Sequence, residues 1–227
     1  MDEISIAAVI WVATHIGLSS TRLRGLMVDA IGEKAYLGVY SLVALGALVY
    51  LIWIYTQVPR FDYLWTPNPD LYWVSKITMP IAFVLLVGGF MVKNPSNAGA
   101  AIDNPDEAAD MARGVTRITR HPVQWAIVLW ASGHVIANGD LVSIVFFSSF
   151  LLLSLAGSFL MDQKKAATMG EGWAAYAAVT SNVPFAAIVT RRNKIDLKEL
   201  AVPALLGLLV HVAVSYFHES FTGAVII

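Results

Sequence analysis

Residues 141–161, LVSIVFFSSFLLLSLAGSFLM, run without one charged side chain. Crossing the hydrocarbon core of a bilayer takes about 20 residues of helix, and only helices or closed barrels satisfy their own backbone there. The apolar residues here follow one another continuously instead of alternating, which excludes a barrel strand. The stretch therefore reads as a membrane-spanning helix. Asn138-Gly139-Asp140 immediately before it is a tight turn, and 122–138 is another apolar run. Together they make an antiparallel hairpin.

Outward from that hairpin, further apolar spans fall at 4–19, 36–57, 71–92 and 198–217. The expected fold class is all-α: a polytopic membrane helix bundle of about six transmembrane helices, with 1–227 as a single integral membrane domain. Composition agrees. The chain is 57% hydrophobic and 14% charged, against about 25% charged in soluble domains. A net charge of −1 creates no field for nucleic acid, so the expected partner is the lipid bilayer. There is no cysteine, which removes disulfides, thiolate ligands and a thiol nucleophile. Met1-Asp2-Glu3-Ile4 lacks the positive start of a secretory signal, so the first span reads as retained. No feature specifies an oligomeric state.

Basic residues give an orientation. Except for Arg60 and Lys76, every Lys and Arg lies in the segments after spans one, three and five. The positive-inside rule puts those segments in the cytoplasm and both termini on the other side of a cell inner membrane. Within them, Asn104-Pro105-Asp106-Glu107 is a helix start, and Met111, Val115 and Ile118 follow at helical spacing, predicting a helix on the membrane surface. Gly157 and its neighbouring serines suggest a close-packing face. Trp173 and Tyr176, after Gly170-Glu171-Gly172, read as an aromatic belt on a juxtamembrane helix into which span five leads.

Candidate chemistry rests on histidine. His15, His134 and His211 fall inside spans, His121 at the cytoplasmic mouth of span four, and His218 at the far surface. Ionisable groups in lipid are costly and mark sites, although one imidazole can also simply bond a neighbouring helix. Without cysteine, a metal in this membrane needs imidazole, and haem b, apolar at its rim and held by two axial histidines, suits such a setting. By depth alone His15 pairs with His121, and His134 with His211. Thr119-Arg120-His121-Pro122 also sets an arginine and a histidine at a helix mouth, where an anion, a cofactor head group or plain interfacial anchoring is served.

Several stretches together resemble the NnrU family of membrane proteins. They are Trp11-Val12-Ala13-Thr14-His15, Arg24-Gly25, Tyr36 to Ser41, Thr119 to Pro122, Trp130-Ala131-Ser132-Gly133-His134 and Asn138-Gly139-Asp140. The plant relatives in that family are 15-cis-zeta-carotene isomerases, haem b enzymes, and some bacterial members are linked to denitrification and nitric oxide metabolism. The resemblance implies His15 and His134 as the iron ligands, with His121 and Arg120 nearby in the cofactor site and His121 and His211 as alternates. It implies a redox-dependent cis–trans isomerase acting on a hydrophobic polyene. Ala131 stands where the plant enzyme has a cysteine three residues before its second histidine. A weaker likeness joins Arg120-His121-Pro122, Gly170-Glu171, Tyr176 and Pro184 to isoprenylcysteine carboxyl methyltransferase. It implies S-adenosylmethionine near Arg120, His121 and Glu171. A third reading is a non-enzymatic membrane scaffold, with the histidines used only in packing.

Overall fold

Each charge-free run closes its own backbone hydrogen bonds as a helix. A computed structural model describes residues 1–97 and 99–223. The helices are α1 (Asp2–Ser20), α2 (Arg22–Ile31), α3 (Glu33–Gln57), α4 (Pro69–Met91), α5 (Pro122–Asn138), α6 (Leu141–Val179), the single turn α7 (Ala186–Val189) and α8 (Leu197–Thr222). Among the described residues there is no strand, only an isolated bridge between Tyr63 and Asp140. Their ends carry the expected chemistry. Asn68 accepts from the amides of Asp70 and Leu71, Asp140 from Ser143, and Asp196 from Lys198.

Five helices, α1, α3, α4, α6 and α8, are long and apolar enough to cross a membrane. The span expected at 122–138 is α5, which at 17 residues rises about 25 Å and is shorter than the other five. The helices pack in the order α3–α1–α6–α5–α4–α8. The two outermost members, α3 and α8, turn Leu42, Trp53, Leu205 and Tyr216 outward, as a lipid-facing surface requires.

Two expectations are corrected. The surface helix after Asn104 is instead two short 3-10 segments, Pro105–Met111 and Gly114–Arg117. Asn104 does cap the first, but Gly114 at φ 55 interrupts the path, and Ala108, Ala112 and Val115 are buried under the bundle. The juxtamembrane helix is continuous with span five. At 39 residues α6 is about 58 Å long, nearly twice a hydrocarbon core, so one half of it extends beyond. Gly170, at φ 51 and ψ −122, kinks that outer half. Trp173 and Tyr176 lie inside a packed cap with Ala108 and Ala112, not in an exposed belt. The sequence reading also passed over α2, whose Leu23, Leu26, Met27 and Ala30 fall at helical spacing although its ten residues bury no side chain.

Close helix approach depends on glycines other than Gly157, around which a Cβ would meet nothing within 4 Å. A Cβ on Gly207 of α8 would come to 2.6 Å from Val84 Cα, and one on Gly139 in the hairpin turn would strike the Trp65 carbonyl. These contacts predict opposite outcomes for one chemical change. Gly207→Ala should cost about 1–3 kcal/mol through overpacking. Gly157→Ala should be neutral, or stabilising by about 0.5–1 kcal/mol through helix propensity. Thermal unfolding in detergent, read by circular dichroism, measures both.

Candidate functional site

The histidines divide into two groups by the nitrogen each has free. In α1, His15 Nδ1 lies 2.8 Å from the Trp11 carbonyl, and in α5, His134 Nδ1 lies 2.8 Å from the Trp130 carbonyl. A carbonyl only accepts, so Nδ1 donates in both, and Nε2 keeps its lone pair. That is the tautomer that ligates a metal through Nε2 while the second nitrogen fixes the ring. Both bonds arise because an imidazole four residues beyond a carbonyl can fold back along its own helix.

Between the two rings lies an aromatic tier. Trp11 stands 3.9 Å from the His15 ring and 5.2 Å from Phe150. Trp130 stands 5.4 Å from Phe150 and 5.1 Å from the His134 ring, which stacks on Phe147 at 4.6 Å. Trp11 of α1 meets Phe150 of α6, and Ser19 and Leu160 farther along each line one cavity, so the two helices run parallel. His134 is level with Phe147, on which it stacks, and His15 lies one turn beyond the level of Phe150. The rings approach the tier from opposite sides, roughly 10 Å apart in depth at 1.5 Å per residue. The Trp11 indole Nε1 is buried in this tier with no hydrogen-bond partner. Ala131, fully buried, packs in the same core.

His211 is elsewhere. On α8 it faces Phe83 of α4 at 5.5 Å, with Ser215 Oγ 3.3 Å from its Nδ1. Phe83 and Trp130 share an apolar groove of about 220 Å3 between α4 and α5, lined also by Ala82, Leu86, Ala126 and Ile127.

His121 belongs to a different construction. Its Nε2 donates to Asp162 Oδ1 at 2.6 Å, and its Nδ1 is buried without a partner. The Arg120 fork closes on the same carboxylate at 2.8 and 2.6 Å, and Asn182 Nδ2 donates to it at 3.1 Å. Further bonds hold those donors. Asn94 Nδ2 donates to the Arg120 carbonyl, Tyr176 donates to Asn94, Ser158 donates to Asn182, and the Arg120 guanidinium lies over the Trp173 ring. Arg120 Nε and Nη2 and His121 Nε2 are thus engaged with Asp162. Glu171 is exposed and takes no part in this network.

A family model described as NnrU protein matches residues 3–226. The chain belongs to the NnrU family. It is 28% identical over 198 residues to the chloroplastic 15-cis-zeta-carotene isomerase of Zea mays, covering 82% of this chain and 50% of that protein. To the isomerase of the same name from Arabidopsis thaliana it is 28% identical over 199 residues, covering 81% and 49%. The chain thus spans about half the length of these curated relatives. No solved structure gives a significant match.

For an NnrU chain, the structure brings Arg120 and His121 together, sets His15 and His134 about one shared tier, and leaves His211 beyond α4. Asp162, Asn182 and Asn94 are the residues that sequence reading missed. Asp162 was visible as the first charge after 141–161, the only trace of its role. A second clamp of the same kind holds α8. Glu199 accepts from Arg117 Nε at 2.7 Å and Nη2 at 3.0 Å, and from the Gly114 amide at 2.7 Å. That pairing raises the Arg117 guanidinium above its ordinary pKa.

Removing one partner of a poorly hydrated ion pair leaves the other charge uncompensated, at a cost of about 3–5 kcal/mol. Asp162 and Arg120 are each less than one-fifth exposed. Asp162→Ala should therefore lower stability by about that amount. In a double-mutant cycle with Arg120→Ala, the two losses should fall well short of adding. Urea or thermal unfolding in detergent would show an additive result if the pair were not coupled.

Proposed function

We propose that this chain is a membrane-embedded haem b protein that catalyses cis–trans isomerisation of a polyene. We further propose that it resides in a cell inner membrane with both termini away from the cytoplasm. The observation that carries the reading is the shared tautomer of His15 and His134, which leaves only their Nε2 atoms open within the aromatic tier. The relatives named 15-cis-zeta-carotene isomerase supply the substrate class.

The donor chemistry suits a haem iron: two imidazoles, each with Nδ1 tied to its own helix and Nε2 open. The orphaned Trp11 N–H beside His15 offers a further donor to a bound group. His15 and His134 would hold the iron through Nε2. When bound, the haem would supply a redox-active iron able to weaken one double bond of a polyene.

The chain's own residues do the rest. Rotation about a double bond adds and removes no atoms, so the site needs no general acid or base. The groove bounded by Phe83 and Trp130 is apolar throughout and suits a hydrocarbon chain. The Trp11, Phe150 and Trp130 rings exclude water and offer flat faces to a conjugated molecule. His121, its Nε2 held by Asp162, acts by anchoring the start of α5 and so setting the depth of His134.

The test is an absorption spectrum of haem-replete protein in detergent, as isolated and after dithionite. The expected result is a Soret band that shifts on reduction, lost or converted to a different spin state in His15→Ala and in His134→Ala and retained in His211→Ala. Chromatography of a cis-polyene incubated with reduced protein should then show the trans isomer. A flat visible spectrum from folded protein would overturn the haem assignment.

A further inference from the structure

Away from the aromatic tier, the last turn of α1, the start of α2 and the outer half of α6 enclose an open cavity of about 710 Å3. Three cations line it, Arg22, Arg24 and Lys164, against one carboxylate, Asp29. Their charges are largely unanswered. Arg24 gives Nη2 to Glu33 at 2.7 Å and lies over the Tyr36 ring, yet its Nε is buried with no acceptor. Among the described residues neither Arg22 nor Lys164 makes an ion pair. Lys164 stands within electrostatic range of both Arg24 and Glu33.

Like charges gathered at a partly dry surface repel one another unless an anion joins them. The cavity lies where α6 leaves its apolar run, two residues past Asp162, at the end of the bundle that carries most of the basic residues. Beside the cations its lining turns apolar, with Leu26 and Leu160, and Leu26 is 66% exposed. A free anion would use the cations alone. An amphiphile uses both parts, with its anionic head among the cations and its chain along the leucines.

We propose that this cavity binds the head group of an anionic phospholipid, with the phosphodiester among Arg22, Arg24 and Lys164 and an acyl chain over Leu26 and Leu160. The site stands apart from the isomerase reading and survives if that reading fails. Each cation near a bilayer surface contributes about fivefold to anionic-lipid affinity.

Native mass spectrometry of the purified protein with phosphatidylglycerol and with phosphatidylcholine tests it. Wild-type protein should retain phosphatidylglycerol selectively. The double variant Arg22→Gln, Lys164→Gln should bind it about 30-fold more weakly. Among the described residues neither side chain makes an ion pair, so the melting temperature should change little. Arg22→Lys should keep the binding, and Lys194→Gln, which removes a cation of the same charge-rich end outside the cavity, should leave it intact. Undiminished binding in the double variant, or equal loss in Lys194→Gln, would overturn the site. Full displacement of the lipid by millimolar inorganic phosphate would overturn the lipid as its occupant.

Discussion

The Asp162 carboxylate organises the molecule. A carboxylate at the edge of an apolar bundle loses hydration that only close, well-aimed donors replace. Here four bonds do so, from Arg120, His121 and Asn182. Those donors come from the segment before α5 and the segment after α6. The carboxylate can be satisfied only if both return to the same point on α6. Because His121 directly precedes α5, that point also sets where the helix starts, and hence the depth at which Trp130 and His134 meet Phe147.

Helix α6 consequently serves two environments. Its first half is apolar and carries Phe147 and Phe150 into the aromatic tier. Its second half leaves the apolar run and becomes the spine of a polar cap, with Lys165 bonded to the carbonyls of Asn97 and Ala100 and Tyr176 fully buried. Several cations that orient a membrane protein are here also spent on structure. Arg192 caps the α6 carbonyls of Ala177 and Ala178, and Arg117 fixes α8 through Glu199. Arg22 and Lys164, by contrast, make no ion pair among the described residues.

The contrast among histidines follows from the same frame. His15 and His134 lie one turn beyond a tryptophan carbonyl in unbroken helix, so the backbone takes Nδ1 and leaves Nε2 open. His121 precedes a proline at a helix start and has no carbonyl four residues back in helical register. A carboxylate takes its Nε2 instead. Residues of one type thus acquire separate roles from backbone position.

The sequence by itself determined the long helices, the Asn138–Asp140 hairpin, the caps and the histidines worth considering. Hydropathy, turn chemistry and capping act over a few neighbouring residues, so they are written in order along the chain. It did not reveal that residues 105–117 form buried 3-10 turns, or that Trp173 and Tyr176 lie in a packed cap. Each of these depends on what lies across from it. Only the tertiary structure paired Arg120 and His121 with Asp162, ranged His15 and His134 about one tier, and gathered Arg22, Arg24 and Lys164 about one cavity. Those relations join residues far apart in sequence, where electrostatic and packing energies depend on distance in space and leave no periodic mark on the chain.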